Sequence, residues 1–230
     1  DAQVIEAFLF ETMHNLARET FGSSPMPSIR VQLARLEQRL AGFARCQANL
    51  REEGWSIRHC EMKFTTDNTL DIPDQPPMPI VGKIDRIDQH DDGRWRIIDY
   101  KTGDGARSPH QVHVGKLKFN EEEELEWQDL QLPLYRHLAD RIGVRGEVEL
   151  GYLVLPKQAD GVKFIPANWS EPQYEAALEL ARDVVQDIRE GNFDLNTSYQ
   201  ASYDNFDRIC QTTAFTMNDD DAQGDSGASS

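Results

Sequence analysis

Apolar residues recur at helical spacing twice near the start of the chain. Ile5, Phe8, Leu9, Thr12 and Leu16 fall close to one face of a helix predicted over residues 3–21. The stretch from Gly22 to Ser28 breaks it. Leu33, Leu36, Leu40, Phe43 and Leu50 mark a second helix, capped by Ser28 and ended at Glu53-Gly54. The period then changes to two over residues 55–65 (WSIRHCEMKFT), as a strand requires, and a Pro/Asp-rich loop follows from Asp71 to Pro79. Residues 80–88 (IVGKIDRID) and 94–101 (RWRIIDYK) are β-rich runs joined by Gln89-His90-Asp91-Asp92-Gly93, which predicts a hairpin. A polar loop, 102–120, leads into the acidic run 121–124 and a helix near 124–141. Residues 146–155 read as a strand and 171–190 as a helix opened by Ser170-Glu171-Pro172. The last stretch, 213–230, is rich in Gly, Ser and Asp and is expected to be disordered. Helices, strands, a helix, a strand and a helix, in that order, predict an α/β fold with a central mixed sheet flanked by helices.

The hairpin changes this from a fold prediction into a chemical one. Alternate residues of a strand share a face, so Asp99 and Lys101 point the same way as Trp95 and Ile97. Pairing symmetric about Asp92 sets Asp85 directly across from Asp99, with Cβ atoms ~5 Å apart. Like charges in that position destabilise a sheet, whereas a divalent cation between them removes the penalty. Ile97-Ile98 precedes Asp99, so its carboxylate ends a buried run and needs a partner. A solvated strand face, with Asp85 and Lys101 paired to neighbouring charges, is the competing reading of the same residues.

Composition narrows the setting. A hydrophobic content of 39% and a charged content of 28% suit a soluble globular protein. No apolar run approaches the ~18 residues that span a bilayer, and no signal-peptide pattern opens the chain, so a cytoplasmic protein is expected. Cys46, Cys60 and Cys210 are too few and too scattered for a disulfide scaffold or a four-thiolate metal site. Asp1 opens directly into a helical pattern, which reads as a domain of about 1–212 from the C-terminal part of a longer protein. The net charge of -16 argues against long-range attraction to phosphates, and only four of those charges (Asp219, Asp220, Asp221, Asp225) lie beyond Thr212. Any nucleic-acid contact must then rely on bound metal, local basic patches or basic neighbouring domains.

Three blocks carry a family resemblance. Gly82-Lys83-Ile84-Asp85-Arg86-Ile87-Asp88, Ile97-Ile98-Asp99-Tyr100-Lys101-Thr102-Gly103 and Leu130-Gln131-Leu132-Pro133-Leu134-Tyr135 resemble, in order, the motifs of the RecB-family nucleases, including AddA and AddB, within the PD-(D/E)xK superfamily. Phe10-Glu11-Thr12-Met13-His14 resembles that family's helical F-G-T-x-x-H segment, with Glu in place of Gly and one residue fewer. The resemblance implies a restriction-endonuclease-like fold. It also implies a centre in which His14, Asp85, Asp99 and the Tyr100 carbonyl hold Mg²⁺ or Mn²⁺. Lys101 would serve the attacking water, Gln131 and Tyr135 would position the strand, and Glu61 is a further candidate. Gln131 and Tyr135 share a helix face at i and i+4, and Pro133 predicts a helix start or break close by.

The implied activity is metal-dependent DNA hydrolysis, as an exonuclease leaving a 5′-phosphate and a 3′-hydroxyl. DNA is the implied partner, with helicase domains or subunits of a repair and recombination complex beside it. AddB-type relatives hold an iron–sulfur cluster through a C-x-x-C-x-x-x-x-x-C frame. Here that frame reads Ala201, Asp204 and Cys210, and one thiolate cannot hold a cluster, so none is expected. A second reading stays open: a catalytically weak module of the same fold whose acidic surface docks on a basic partner. The roles of His110 and His113, in the loop after the active strand, are open as well.

Overall fold

The computed structural model describes residues 1–103, 105, 107–114 and 126–193. The chain divides into Asp1–Glu190 and Gly191–Ser230, and the architecture below is that of the first unit. The predicted disordered tail, the acidic run 121–124 and the 201–210 cysteine frame lie outside the described residues.

Two long helices come first, α1 (Ala2–Phe21) and α2 (Pro27–Glu52). Asp1 caps α1 by accepting the Gln3 N–H at 2.8 Å. Pro27 opens α2 behind Met26, so Ser28 lies inside the helix instead of capping it. A proline in the first turn, already fixed at a helical φ and lacking an N–H that would go unpaired, starts the helix without a side-chain cap. The predicted apolar face of α1 is also corrected. Phe8 and Leu16 are 66% and 57% exposed, and Met13 and Ala17 are the buried positions where α1 packs along α2.

The remaining elements are β1 (Trp55–Phe64), β2 (Thr69–Leu70), β3 (Met78–Pro79), β4 (Gly82–His90), β5 (Trp95–Lys101), α3 (Pro109–His113), α4 (Gln131–Asp140), β6 (Val148–Val154), a 3₁₀ turn (Ala159–Gly161), β7 (Lys163–Pro166) and α5 (Glu171–Glu190). The main sheet runs β1-β4-β5-β6-β7. It is mixed: β5 and β6 are parallel and every other neighbouring pair is antiparallel. The small pair β2–β3 was not expected: β2 immediately precedes the expected loop Asp71–Pro79, β3 ends it, and α3 lies inside the polar loop 102–120. The helix expected near 124–141 is shorter, starting at Gln131 so that Pro133 occupies its first turn, where the missing N–H costs nothing.

Helices cover both faces of the sheet. On one face Leu50 of α2 packs with Trp55, Ile98 and Leu153. On the other, Leu132, Leu138 and Ala139 of α4 pack with Ile84, Ile87, Ile97 and Tyr152, and α5 closes over α4 through Ala181 and Val185. Burial on both faces explains why β4 and β5 read as apolar runs. Gly151 in β6 allows β7 to approach, since a Cβ there would lie 2.5 Å from the Ile165 carbonyl oxygen. No helix among the described residues is long and apolar enough to cross a membrane.

Candidate active site

The hairpin pairs Gln89 with Trp95, Asp88 with Arg96, Ile87 with Ile97 and Arg86 with Ile98, the register symmetric about Asp92. The ladder stops there. At the next position the Asp85 carboxylate takes over the pairing: its Oδ2 accepts the backbone N–H of Tyr100 at 3.0 Å. The alternation of β4 is interrupted at the same place, because Ile84 and Ile87 both enter one core. On the far side of β4, Glu61 sits between the paired positions Cys60–Arg86 and Met62–Ile84, opposite Asp85, and its φ of 54° takes it out of the ladder. Glu61 is ion-paired with Lys83, and this pairing raises the Lys83 pKa.

Asp99 is 5% exposed. Its Oδ2 is ion-paired with the Lys101 ammonium at 2.7 Å. Burial raises its pKa, Lys101 opposes that, and the nearby Asp85 charge raises it further. Lys101 also rests 4.7 Å from the centre of the Tyr152 ring, on the β6 neighbour of Asp99. Because β5 and β6 are parallel, Lys101 and Val154 finish them side by side, and a cleft of about 350 Å³ opens there, lined by Tyr100, Lys101, Thr102, Gly103, Arg107, Val112 and Tyr152. The open end of parallel strands is where α/β sheets take ligands.

Helix α4 supplies the next pair. Gln131 Nε2 donates to the Tyr135 hydroxyl at 2.9 Å. The charges of Asp99 and Asp85 both reach Tyr135, whose pKa is raised chiefly by burial. The structure thus brings Asp85, Asp99, Lys101 and Tyr135 together, with Gln131 bound to Tyr135. His14 is placed differently: its Nε2 is 2.9 Å from Glu37 Oε1, between α1 and α2. Among the described residues no three His, Cys, Asp or Glu side chains are arranged to hold one ion.

Two carboxylates remain as candidate metal donors, and they fit a hard divalent cation. Asp99 offers a buried carboxylate beside Lys101, and Asp85 spends one oxygen on Tyr100 and has a second to offer. Mg²⁺ is commonly held by one or two carboxylates with water and substrate oxygens completing the shell.

The loop histidines separate here. His110 turns the surface of α3, while His113 is fully buried between Asp129, Tyr152 and Trp169. Asp129, Tyr152 and His113 adjoin the site; Asp129 and Tyr152 are absent from the sequence expectations, and His113 entered them only with its role open. The one signal that could have found Asp129 is its place two residues before Gln131, from which an Asp side chain can accept a backbone N–H two residues on.

Among solved structures, a candidate exonuclease from Eubacterium rectale matches over 84% of this chain and 69% of its own, at 12% identity and a TM-score of 0.43. No curated protein matches the sequence. Residues 2–211 match the profile of the PD-(D/E)XK nuclease superfamily, and the chain belongs to that superfamily.

Proposed function

We propose that the chain is a divalent-metal-dependent deoxyribonuclease of the RecB-like kind. It acts as an exonuclease in DNA repair or recombination, in concert with helicase domains or subunits. One observation carries the reading: Asp85 and Asp99 converge beside Lys101 at the end of β5, with the Asp99 carboxylate buried and its Oδ2 2.7 Å from the Lys101 ammonium. The exonuclease mode, the DNA substrate and the helicase setting rest on the RecB-like motifs.

Asp85, Asp99 and the Tyr100 carbonyl would hold Mg²⁺ or Mn²⁺; His14, engaged by Glu37, is left out of this set. The cation supplies Lewis-acid stabilisation of the phosphoryl charge and activation of water. The protein's own groups do the rest. Lys101 holds a positive charge beside Asp99, where it orients the attacking water and offsets charge growing on the phosphate. Gln131 and Tyr135, bonded to each other, present an amide and a hydroxyl from one helix face and position the strand. Water oxygen bonds to phosphorus, the P–O3′ bond breaks, and the leaving oxygen takes a proton, giving a 5′-phosphate and a 3′-hydroxyl.

The test is cleavage of labelled single- and double-stranded DNA by wild type and Lys101→Ala, with Mg²⁺, Mn²⁺ or EDTA. The expected result is metal-dependent cutting that the mutation lowers by about 10²-fold or more. Absence of both cutting and Mn²⁺ binding by calorimetry would sink the nuclease reading in favour of a docking module.

A further inference from the structure

We infer that His113 is a positioning residue for this site: bonded to Tyr152 and Asp129, it fixes both the floor beneath Lys101 and the start of the helix carrying Gln131 and Tyr135. The inference rests on the nuclease reading above and deepens it.

The geometry runs in both directions from one fully buried ring. His113 Nδ1 is 2.8 Å from the backbone carbonyl of Asp129. A carbonyl only accepts, so Nδ1 carries the hydrogen and donates. In the neutral ring Nε2 is then the acceptor, and the Tyr152 hydroxyl donates to it at 2.7 Å. The tautomer is therefore set by the loop, and the tautomer orients Tyr152. Tyr152 presents its ring face to the Lys101 ammonium at 4.7 Å. Its hydroxyl bond to His113 restrains that ring against sliding along β6.

The other arm reaches α4. Asp129 Oδ1 accepts the Gln131 N–H at 2.7 Å and lies 3.3 Å from His113 Nδ1. The His113 carbonyl accepts the N–H of Gln128 at 2.8 Å, and Val114 bridges to Trp127. Backbone and side chain of one residue thus clamp segment 127–131 onto the sheet. Trp169 stacks edge-on against the His113 ring with centres 5.2 Å apart and closes the remaining side. Lys101 on β5 and Gln131 on α4 belong to different elements, and His113 is the link that touches the immediate support of each. Catalytic groups misplaced by about 1 Å can lose 10²-fold in rate, so such a link governs the chemical step more than substrate binding.

The test compares wild type, Tyr152→Phe, His113→Gln and His113→Ala in steady-state cleavage of labelled DNA with Mn²⁺, alongside melting temperatures. Tyr152→Phe removes one oxygen and keeps the ring. His113→Gln keeps a polar group near the Nε2 position and so can partly restore the bond to Tyr152. Expected are a loss of about tenfold or more in kcat for Tyr152→Phe, a KM for DNA changed by less than about threefold, and melting close to wild type. His113→Gln should retain more activity than His113→Ala at matched folded fraction. Equal kcat for wild type and Tyr152→Phe would overturn the positioning role while leaving the nuclease reading intact. So would a fall in kcat that only tracks loss of folded protein. A wild type that cuts nothing with either metal overturns the nuclease reading, and the positioning role with it.

Discussion

Asp85 on β4 accepts the backbone N–H of Tyr100 on β5 at 3.0 Å, at the position where the ladder between the two strands ends. One carboxylate oxygen thereby replaces a strand carbonyl, and the acid is held against the strand that carries Asp99 and Lys101. Asp85→Ala leaves the Tyr100 N–H without that partner, at a cost of about 1 kcal/mol for a partly buried bond. It also removes one of the two carboxylates proposed to hold the cation. The expected outcome is a small drop in melting temperature together with loss of Mn²⁺ binding by calorimetry. An alanine variant that binds Mn²⁺ as the wild type does would take Asp85 out of the site.

Asp99 predicts the opposite sign for stability. Its folded pKa is raised, first by burial and further by Asp85, so the folded state holds a proton more tightly than the unfolded chain. Stability from this group is fully present below the unfolded value near 3.9 and is lost as pH rises through the folded value. At neutral pH the ionised carboxylate therefore works against folding. Asp99→Asn should melt about 2–4 °C higher than wild type at pH 7 in EDTA, lose that advantage in acid, and fail to cut DNA. A lower melting point at pH 7 would mean that Lys101 stabilises the ionised carboxylate more than burial penalises it.

What could be read along the chain was whatever depends on neighbours a few residues away. The hairpin register follows from a short turn between Gln89 and Trp95; its symmetry about Asp92 holds as far as Arg86–Ile98, and the ladder ends one pair short of Asp85 and Asp99. The spacing of Gln131 and Tyr135 was enough to set both on one face of α4. His113 was not legible, because its partner Tyr152 lies 39 residues away and nothing local distinguishes a loop histidine that becomes a buried clamp. The face of α1 misled for a related reason. Periodicity says which residues share a face, whereas burial depends on what packs there, and α2 covers Met13 and Ala17 instead of Phe8 and Leu16.

Asp129 titrates with the reverse sign to Asp99. The hydrogen bond from His113 lowers its pKa, and the Gln131 N–H adds to that against some burial. A depressed carboxylate contributes stability above its unfolded pKa and loses it as pH falls through the folded value. Asp129→Ala removes the acceptor of the Gln131 N–H at the start of α4 and should cost about 1 kcal/mol at neutral pH. The gap between wild type and variant should stay constant from pH 8 to 5 and shrink in more acid solution. Urea unfolding across that range measures it, and a gap that widens in acid would contradict the assigned sign.

Arg86 and Asp88 sit two residues apart on β4, both fully buried, with Arg86 Nε to Asp88 Oδ1 at 2.7 Å and Nη2 to Oδ2 at 2.5 Å. Arg86 also reaches the Tyr100 hydroxyl at 3.5 Å, so the pair lies on the sheet face away from Asp99. Two charges taken out of water gain little net stability over an apolar pair, yet one left alone is strongly penalised. Asp88→Ala should therefore cost about 3–5 kcal/mol, while Arg86→Met combined with Asp88→Leu should cost far less than the two single changes added together. Urea unfolding of the four proteins closes the cycle. Additive costs would show that the two side chains are stabilised independently, each by its own surroundings. A large coupling energy would show that β4 tolerates this buried charge only as a pair, with the backbone that presents Asp85 held in register by it.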